Sequence, residues 1–458
     1  MSSSPAVRFP AAGQPRFRVV IPAYPAFNVY SRVARETTAL GPVCIATTVR
    51  AAGSWDVEVI DENNLRRHGP RVPGGGADHD FLQALRPAQV VGLYGGLTST
   101  VPRLYELARI YREKGVVTIA GGQHFVDENI EEALRSGIDY VVIGEGETTI
   151  LELLDALAGK RDLESVNGIA YRSNGSVVQT PPRPCATDFD QFPLPDFSLV
   201  RYAKIRIYPV ERIRGCGMDC EFCTVKGRPR PATPERLLQQ IDRLVETRNA
   251  KRFFIVDDLF GQQRHETIRF CSMLAGYQRL TRRRLRIMVQ IRLDKARDRE
   301  LLHAMRDAGI NEVAIGYESP IPQELVAMNK RIRPEEMVAD SREFHRLGFL
   351  VHGMFIYAYP MINKGTFAMP AAERVRHFKR FIRKAKLDTI QVLLPVPLPG
   401  TALRKRLAAD NRVYPLKHLN WQYYDGNFPL FEPEPPFTPE QMQQGLKKIM
   451  GNFYRLKN

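Results

Sequence analysis

Three cysteines fall within eight residues, in Cys216-Gly-Met-Asp-Cys220-Glu-Phe-Cys223, and no fourth lies near them. Thiolates are the ligands of iron–sulfur clusters, and three on one short loop can hold three corners of a 4Fe–4S cube while leaving the fourth iron open. An open iron can bind and reduce a substrate, whereas a fully ligated cluster chiefly relays electrons. Structural zinc is the other chemistry open to clustered cysteines, but it closes its coordination with protein ligands on every side. The pattern points to a reactive iron centre, and hence to an enzyme.

Cys44, Cys185 and Cys271 stand alone. Scattered thiols are no disulfide framework, and a reducing compartment suits them; Cys44 and Cys271, in apolar surroundings, read as small core residues. A chain of 458 residues exceeds a single core and calls for two or three domains. With 44% hydrophobic and 25% charged residues, its composition is that of an ordinary globular protein. No apolar run approaches the ~20 residues of a membrane span. The N-terminal Met1-Ser-Ser-Ser-Pro lacks the apolar core of a secretory leader, so a cytoplasmic location is expected.

The net charge of +16 is unevenly spread: residues 1–160 carry 16 Lys/Arg against 18 Asp/Glu, the remainder 50 against 32. In the run from Arg374 to Lys384, Val375, Phe378, Phe381 and Ile382 recur at helical spacing, with cations on the opposite face. A solvated helix surface is one reading. Attraction of an anionic substrate, an acidic redox partner, nucleic acid or a membrane is the other. No known nucleic-acid-binding module is visible.

The elements that must position the cysteines follow from hydrophobic periodicity. Strand-like runs at Phe17–Ile21, Val57–Ile60, Val90–Tyr94, Val116–Ala120 and Tyr140–Ile143 alternate with helical patterns such as Val101–Glu113 and Asp127–Arg135. This α/β order predicts an N-terminal doubly wound parallel sheet over residues 15–165, Rossmann-like, with ligands at the carboxyl ends of its strands. Asn174-Gly175 marks a tight hairpin, and a proline-rich stretch completes a linker over 166–203. A second series then begins, with strands expected at Ile205–Arg212, Phe253–Val256, Leu285–Gln290, Glu312–Gly316, Leu350–Ile356 and Thr389–Leu394. Six β/α units over 204–402 predict a partial (β/α)6 barrel of the TIM type, whose chemistry sits at the strand C-termini. The cysteine loop directly follows the first of these strands. Residues 403–458 read as a C-terminal extension, a cap or tail.

The cysteine spacing, with aromatic Phe222 before the last cysteine, resembles the radical S-adenosylmethionine superfamily. That resemblance implies that Cys216, Cys220 and Cys223 hold the 4Fe–4S cluster and that the open iron chelates the amino and carboxylate groups of S-adenosylmethionine. Electron transfer then breaks the sulfonium bond and yields a 5′-deoxyadenosyl radical. The match continues strand by strand. Asp257 or Asp258, after the second strand, would accept the methionine amino group, or else simply cap the next helix. Gln290 and Arg292 resemble the family's Gln-x-Arg pattern; Arg292 would take the methionine carboxylate bidentately, with a surface ion pair as its plain alternative. Glu318 and Ser319, in Ile315-Gly-Tyr-Glu-Ser319, resemble the segment that meets the ribose hydroxyls, against a structural salt bridge. Pro397, in Pro395-Val-Pro-Leu-Pro-Gly-Thr401, lies where adenine would be wrapped. The scattered remaining cysteines cannot build an auxiliary cluster.

The pairing of such a barrel with a doubly wound domain resembles the cobalamin-binding class of the superfamily, including the branch of the hopanoid methylases, over nearly the whole chain. It implies a corrin resting on three glycine-bearing loops: Leu97, Thr98 and Ser99; Gly121, Gly122 and His124; Gly144, Glu145 and Gly146. Cobalamin domains of the mutase type carry Asp-x-His-x-x-Gly, whose histidine ligates cobalt; here Asp61-Glu-Asn63 puts an asparagine at that position. A cobalamin-like fold without the cofactor is therefore the competing reading, and His124 reads equally as a loop histidine bonded to backbone. The expectation is cobalamin-dependent C-methylation of an unactivated carbon in a small molecule, anionic or membrane-associated, with a flavodoxin or ferredoxin-type reductant. The alternatives are a cobalamin-free radical oxidation, cyclisation or rearrangement and, in another class, a non-catalytic iron–sulfur protein for electron transfer or redox sensing.

Overall fold

The structure, a computed structural model, describes residues 7, 13–28, 30–65, 69–73, 76–362 and 367–455. It divides into two compact units, Met1–Arg206 and Ile207–Asn458. In the first, β1 (Arg16–Ile21), β2 (Asp56–Asp61), β3 (Val90–Tyr94), β4 (Val117–Gly121) and β5 (Tyr140–Val142) run parallel in the spatial order β5-β4-β3-β1-β2. Their near-continuous apolar runs are buried on both faces, as parallel strands under helices must be. Arg18 breaks the run. It is fully buried and stands in register with Glu58 of β2, its Nε 2.8 Å from Oε1, while Tyr111 Oη, Gln83 Oε1 and the carbonyls of Leu82 and Arg86 take its other protons. The strand order reverses on either side of β1, which opens a crevice at the carboxyl ends of β1 and β3.

The stretch read as a linker joins this sheet. β6 (Ile169–Ser173) and β7 (Ser176–Gln179) add an antiparallel hairpin beyond β5, and β8 (Val200–Arg201) pairs with β2 at the other edge. Between them the chain lies along the unit because its remaining N–H groups find acceptors: Ala186 donates to Glu145 Oε2 at 2.9 Å and Asp196 to Thr47 Oγ1 at 2.8 Å.

In the second unit, β9 (Tyr208–Val210) is followed by the short antiparallel pair β10 (Ile213–Arg214) and β11 (Arg230–Pro231), then by β12 (Arg252–Phe260), β13 (Arg286–Ile291), β14 (Ile310–Glu318), β15 (Leu350–Ile356) and β16 (Thr389–Leu393). Apart from the β10–β11 pair, these strands are parallel and neighbour one another in chain order, with β9 and β16 at the edges. β9 is shorter than expected at both ends; at its carboxyl end the N–H groups of Arg212 and Ile213 turn to the Asp257 carboxylate. Two of the helices between the strands start on side-chain caps: Thr233 accepts from Arg236 N–H, and Asp298 from Leu301 N–H. The C-terminal extension ends in a helix, Pro439–Arg455, that meets the open edge: Tyr454 Oη donates to the Ile390 carbonyl at 2.7 Å and accepts its N–H at 3.2 Å. No described helix is long and apolar enough to cross a membrane.

Glu62, just past β2, knots the first unit together. Its buried carboxylate accepts from Ala23 N–H, Ala77 N–H, His79 and twice from Arg103. Burial pushes its pKa up, but the hydrogen bonds from His79 and Arg103 prevail and hold it at about 2, below the ordinary 4.5. A depressed carboxylate contributes stability above its unfolded value and loses it as pH falls toward the folded one, here between about 4.5 and 2 and worth about 3 kcal/mol. In a Trp421→Phe chain, where Trp55 fluorescence reports the first unit, urea stability should fall across this window. Glu62→Gln should flatten that limb; equal slopes in the two chains would refute the assignment.

Candidate active site

The cysteine loop is closed at its base by the β10–β11 pair. Gly215 has φ +85°, and a Cβ there would lie 2.6 Å from the Arg228 carbonyl oxygen, so only glycine lets the flanks meet. Cys216, Cys220 and Cys223 are half-buried and close enough for their charges to bear on one another. Burial pushes the thiols of Cys220 and Cys223 above their ordinary value. Free, they would keep their protons; metal binding would displace them.

Partners for this irregular backbone come from distant strand ends. Asp257 Oδ1 accepts from Arg212 N–H (2.6 Å) and Ile213 N–H (2.9 Å), Asp258 Oδ2 accepts from Gly215 N–H (2.6 Å), and Gln262 Nε2 donates to the Cys216 carbonyl (2.5 Å). On the far side Glu221 N–H donates to the Met328 carbonyl (3.0 Å), Asn329 Nδ2 to that of Asp219 (2.7 Å), and Leu403 N–H to that of Glu221 (3.1 Å). The Glu221 carboxylate is gripped bidentately by Arg406, at 2.6 and 2.9 Å, and accepts from Tyr359 Oη at 2.6 Å. Phe222 meets the Tyr359 ring edge-on, centroids 6.3 Å apart.

The expected S-adenosylmethionine contacts divide. Asp257 and Asp258 serve the loop backbone; burial pushes both upward, Asp257 to about 7, and Asp257 Oδ2 is buried without a partner. Arg292 holds Asp294 through two contacts of 3.1 Å and donates to Met218 Sδ at 3.2 Å, so it stands against the cysteine loop. Gln290 lies two residues earlier, half-buried near the end of β13. Glu318 ends β14 at φ +60°, a conformation side chains rarely adopt. Lys330 Nζ, whose charge also reaches Cys220, pairs with it at 2.8 Å. Ser319 turns away, donating to buried Glu324, which Arg374 pairs at 2.6 Å. Pro397 is buried in the loop after β16.

In the first unit, the carboxyl ends of β1, β2 and β3 enclose a cavity of about 140 Å³, lined by Tyr24, Thr38, Asp61, Asn63, Tyr94 and Leu97 among others. Burial pushes Asp61 up to about 6; it accepts from Thr38 Oγ1 at 2.7 Å and Asn63 N–H at 3.0 Å. Both ends of the Asn63 amide are used, on Tyr24 N–H and the Pro22 carbonyl. His124 is buried, with Thr98 Oγ1 3.3 Å from Nδ1 and Asn129 Nδ2 3.2 Å from Nε2. A Cβ on Gly122 would lie 2.5 Å from the Gly95 carbonyl carbon, so two of the glycine loops touch backbone to backbone, beside Gly121. Ser99 Oγ accepts from Asn28 Nδ2, and the Gly144-Glu145-Gly146 loop leads into helix Glu147–Leu157. Of the expected corrin contacts, Asn63 and Leu97 line the cavity; Thr98, Ser99, Gly122 and His124 hold the loops to one another.

Comparison with known proteins agrees with both halves. Residues 29–154 match the B12 binding domain model and residues 210–369 that of the Radical SAM superfamily. The chain is a radical S-adenosylmethionine protein of the cobalamin-binding class. An uncharacterised methyltransferase of Pyrococcus horikoshii is 28% identical over 375 residues, 78% of each chain. The anaerobic magnesium-protoporphyrin IX monomethyl ester cyclase of Rubrivivax gelatinosus is 26% identical over 440 residues, 90% of this chain and 72% of the relative. Hopanoid methylases stand among the relatives too. The solved structure of TsrM, a radical S-adenosylmethionine methyltransferase from Kitasatospora setae, shares the fold with a TM-score of 0.67 at 17% identity, over 87% of this chain and 78% of that one. A 4Fe–4S cluster, S-adenosylmethionine and cobalamin are the cofactors of this class of enzyme.

The residues of this radical S-adenosylmethionine protein fit those groups. Three half-buried thiols suit a cluster. The first-unit cavity is too small for a macrocycle and lies at the strand switch point, where a cofactor's tail would enter. Its lining offers no histidine to cobalt.

Gln262, Met328, Asn329, Lys330, Tyr359 and Arg406 were not foreseen; their partners are too far along the chain to leave a local pattern. Charged hydrogen bonds of the Glu221–Arg406 kind contribute about 1.5–3 kcal/mol. Arg406→Ala should therefore release iron to a chelator at least about tenfold faster than the parent after anaerobic reconstitution. Unchanged release would show that the loop does not depend on this clamp.

Proposed function

We propose that the protein is a cobalamin-dependent radical S-adenosylmethionine enzyme that methylates an unactivated carbon of a small molecule. The observation that carries this is a three-thiol loop clamped at the strand ends of a radical S-adenosylmethionine barrel, in a chain whose first domain is of the cobalamin-binding kind. When bound, the cluster supplies the electron that cleaves S-adenosylmethionine to a 5′-deoxyadenosyl radical, and cobalamin the methyl group. Cys216, Cys220 and Cys223 hold the cluster. Asp257, Asp258 and Gln262 fix the loop backbone from one side, Glu221, Tyr359 and Arg406 from the other. Arg292 trades Asp294 for the methionine carboxylate, and Glu318 accepts from ribose hydroxyls while keeping Lys330. Gln290 and the backbone around Pro397 line the same mouth. In the first domain Asn63, Leu97 and the Gly121–His124 and Gly144–Gly146 loops frame the corrin and its tail. We assign the substrate to anionic or membrane-associated small molecules, the electron to a flavodoxin or ferredoxin-type donor, and the enzyme to the cytoplasm.

A second reading keeps the radical and omits methylation: the Rubrivivax relative, matched over 90% of this chain, is a cyclase. Anaerobic reconstitution with S-adenosylmethionine and dithionite should release 5′-deoxyadenosine, and Cys220→Ala should abolish it. Equal yields would end the radical assignment. Protein produced with cobalamin supplied should carry one corrin per chain by absorbance and mass; its absence would leave the second reading.

A further inference from the structure

The basic run on helix Ala371–Ala385 is more than a solvated face. With the C-terminal helix Pro439–Arg455 it forms a groove of about 900 Å³. Arg376, Lys379, Arg380, Arg383 and Lys386 line its walls, Ile382, Leu387 and Ile449 are its buried floor, and Phe453 is its half-exposed apolar flank. Among the described residues, none of these five cations has a carboxylate within ion-pair distance; the groove's one acid, Glu373, lies 3.9 Å from His377.

Elsewhere on the barrel helices several arginines are matched: Arg264 to Asp298 and Glu300, Arg269 to Glu235 and Glu266, Arg297 to Glu336 and Asp340, Arg346 to Glu343. Like charges at i,i+4, as in Arg376/Arg380 and Lys379/Arg383, repel each other. Five unmatched cations around an apolar cleft of ligand size are complementary to a molecule that is anionic at one end and apolar at the other. The groove flanks the N-terminal end of β16, where Tyr454 grips Ile390, whereas the cysteine loop follows the carboxyl end of β9. In a parallel sheet these are opposite ends. An occupant would not reach the radical, so this is not the substrate site.

We propose that the groove between these two helices binds an amphiphilic anion, a phosphate- or carboxylate-headed molecule with a hydrocarbon tail. The head lies among Arg376, Arg380 and Arg383, and the tail runs along Phe453 and the aliphatic stems of the lining cations, over the floor of Ile382, Leu387 and Ile449. Such a ligand is either a membrane lipid, which would tether the enzyme to a bilayer, or a free amphiphile.

Calorimetry on the reconstituted enzyme with n-octyl phosphate, inorganic phosphate and n-octanol tests the chemistry. Octyl phosphate should bind well above both comparators. The Arg376→Gln/Arg380→Gln/Arg383→Gln variant should weaken it roughly a hundredfold, at about fivefold per cation, with 5′-deoxyadenosine release unchanged. Sedimentation with phosphatidylcholine vesicles, with and without phosphatidylglycerol, identifies the source. Binding to anionic vesicles that the variant loses makes it a bilayer lipid, and binding of octyl phosphate alone makes it a free amphiphile. Octyl phosphate bound no tighter than phosphate with no vesicle binding, or binding indifferent to the variant, would overturn the proposal.

Discussion

A half-buried loop without a ladder of its own must still satisfy its backbone, and here it must do so while presenting three thiols. The carboxylates of Asp257 and Asp258 answer for the entering flank, and Arg406, through Glu221, for the middle. These partners lie between 43 and 185 residues from the groups they bind. The cysteine loop therefore acquires its shape only when β12, the segments after β14 and β15, and the helix Ala402–Ala409 are in place. Cluster capacity is a property of the completed barrel, and a peptide carrying the cysteines alone lacks every one of these anchors.

The same arrangement decides how readily the strand ends can take a ligand. Arg292 and Asp294 are 28% and 52% exposed. Exposed pairs of this kind contribute about 0–1 kcal/mol, so a methionine carboxylate can replace Asp294 at little cost. Glu318 and Lys330 are only 10% and 21% exposed, and separating them leaves two charges poorly solvated. The pair is more easily shared than broken: a ribose hydroxyl can donate to Glu318 while Lys330 stays. Asp257 and Asp258 are further committed still, because each backbone N–H they release would be left without an acceptor.

Much of this was legible in the sequence. Alternation and apolar runs located the strands of both sheets, and the cysteine spacing named its own chemistry. Side-chain purpose was harder to read. An aspartate beside a loop looks the same whether it awaits an ammonium group or already holds a peptide N–H, which is why Asp257 and Asp258 read as ligand residues. Arg406 had no local cue at all, since its partner lies 185 residues away. The proline-rich stretch read as a linker because prolines break periodicity, yet its few N–H groups are enough to bind it to the first sheet. The C-terminal helix read as a tail, although its Tyr454 satisfies both backbone groups of Ile390 on the edge strand β16.

The end of β2 shows how a missing ligand can be written into the packing. Asp61, Glu62 and Asn63 are each spent on the fold: Asp61 on Thr38, Glu62 on Arg103 and His79, Asn63 on Tyr24 and Pro22. A histidine at residue 63 would give up both amide contacts, about 1 kcal/mol each, in a cavity already lined by Tyr24 and Tyr94. The asparagine is thus not a vacancy left by a lost ligand but a working tie between β2 and the loop after β1. With His124 held between Thr98 and Asn129 as well, neither side chain can turn toward a metal without breaking a tie that the fold of the first domain uses.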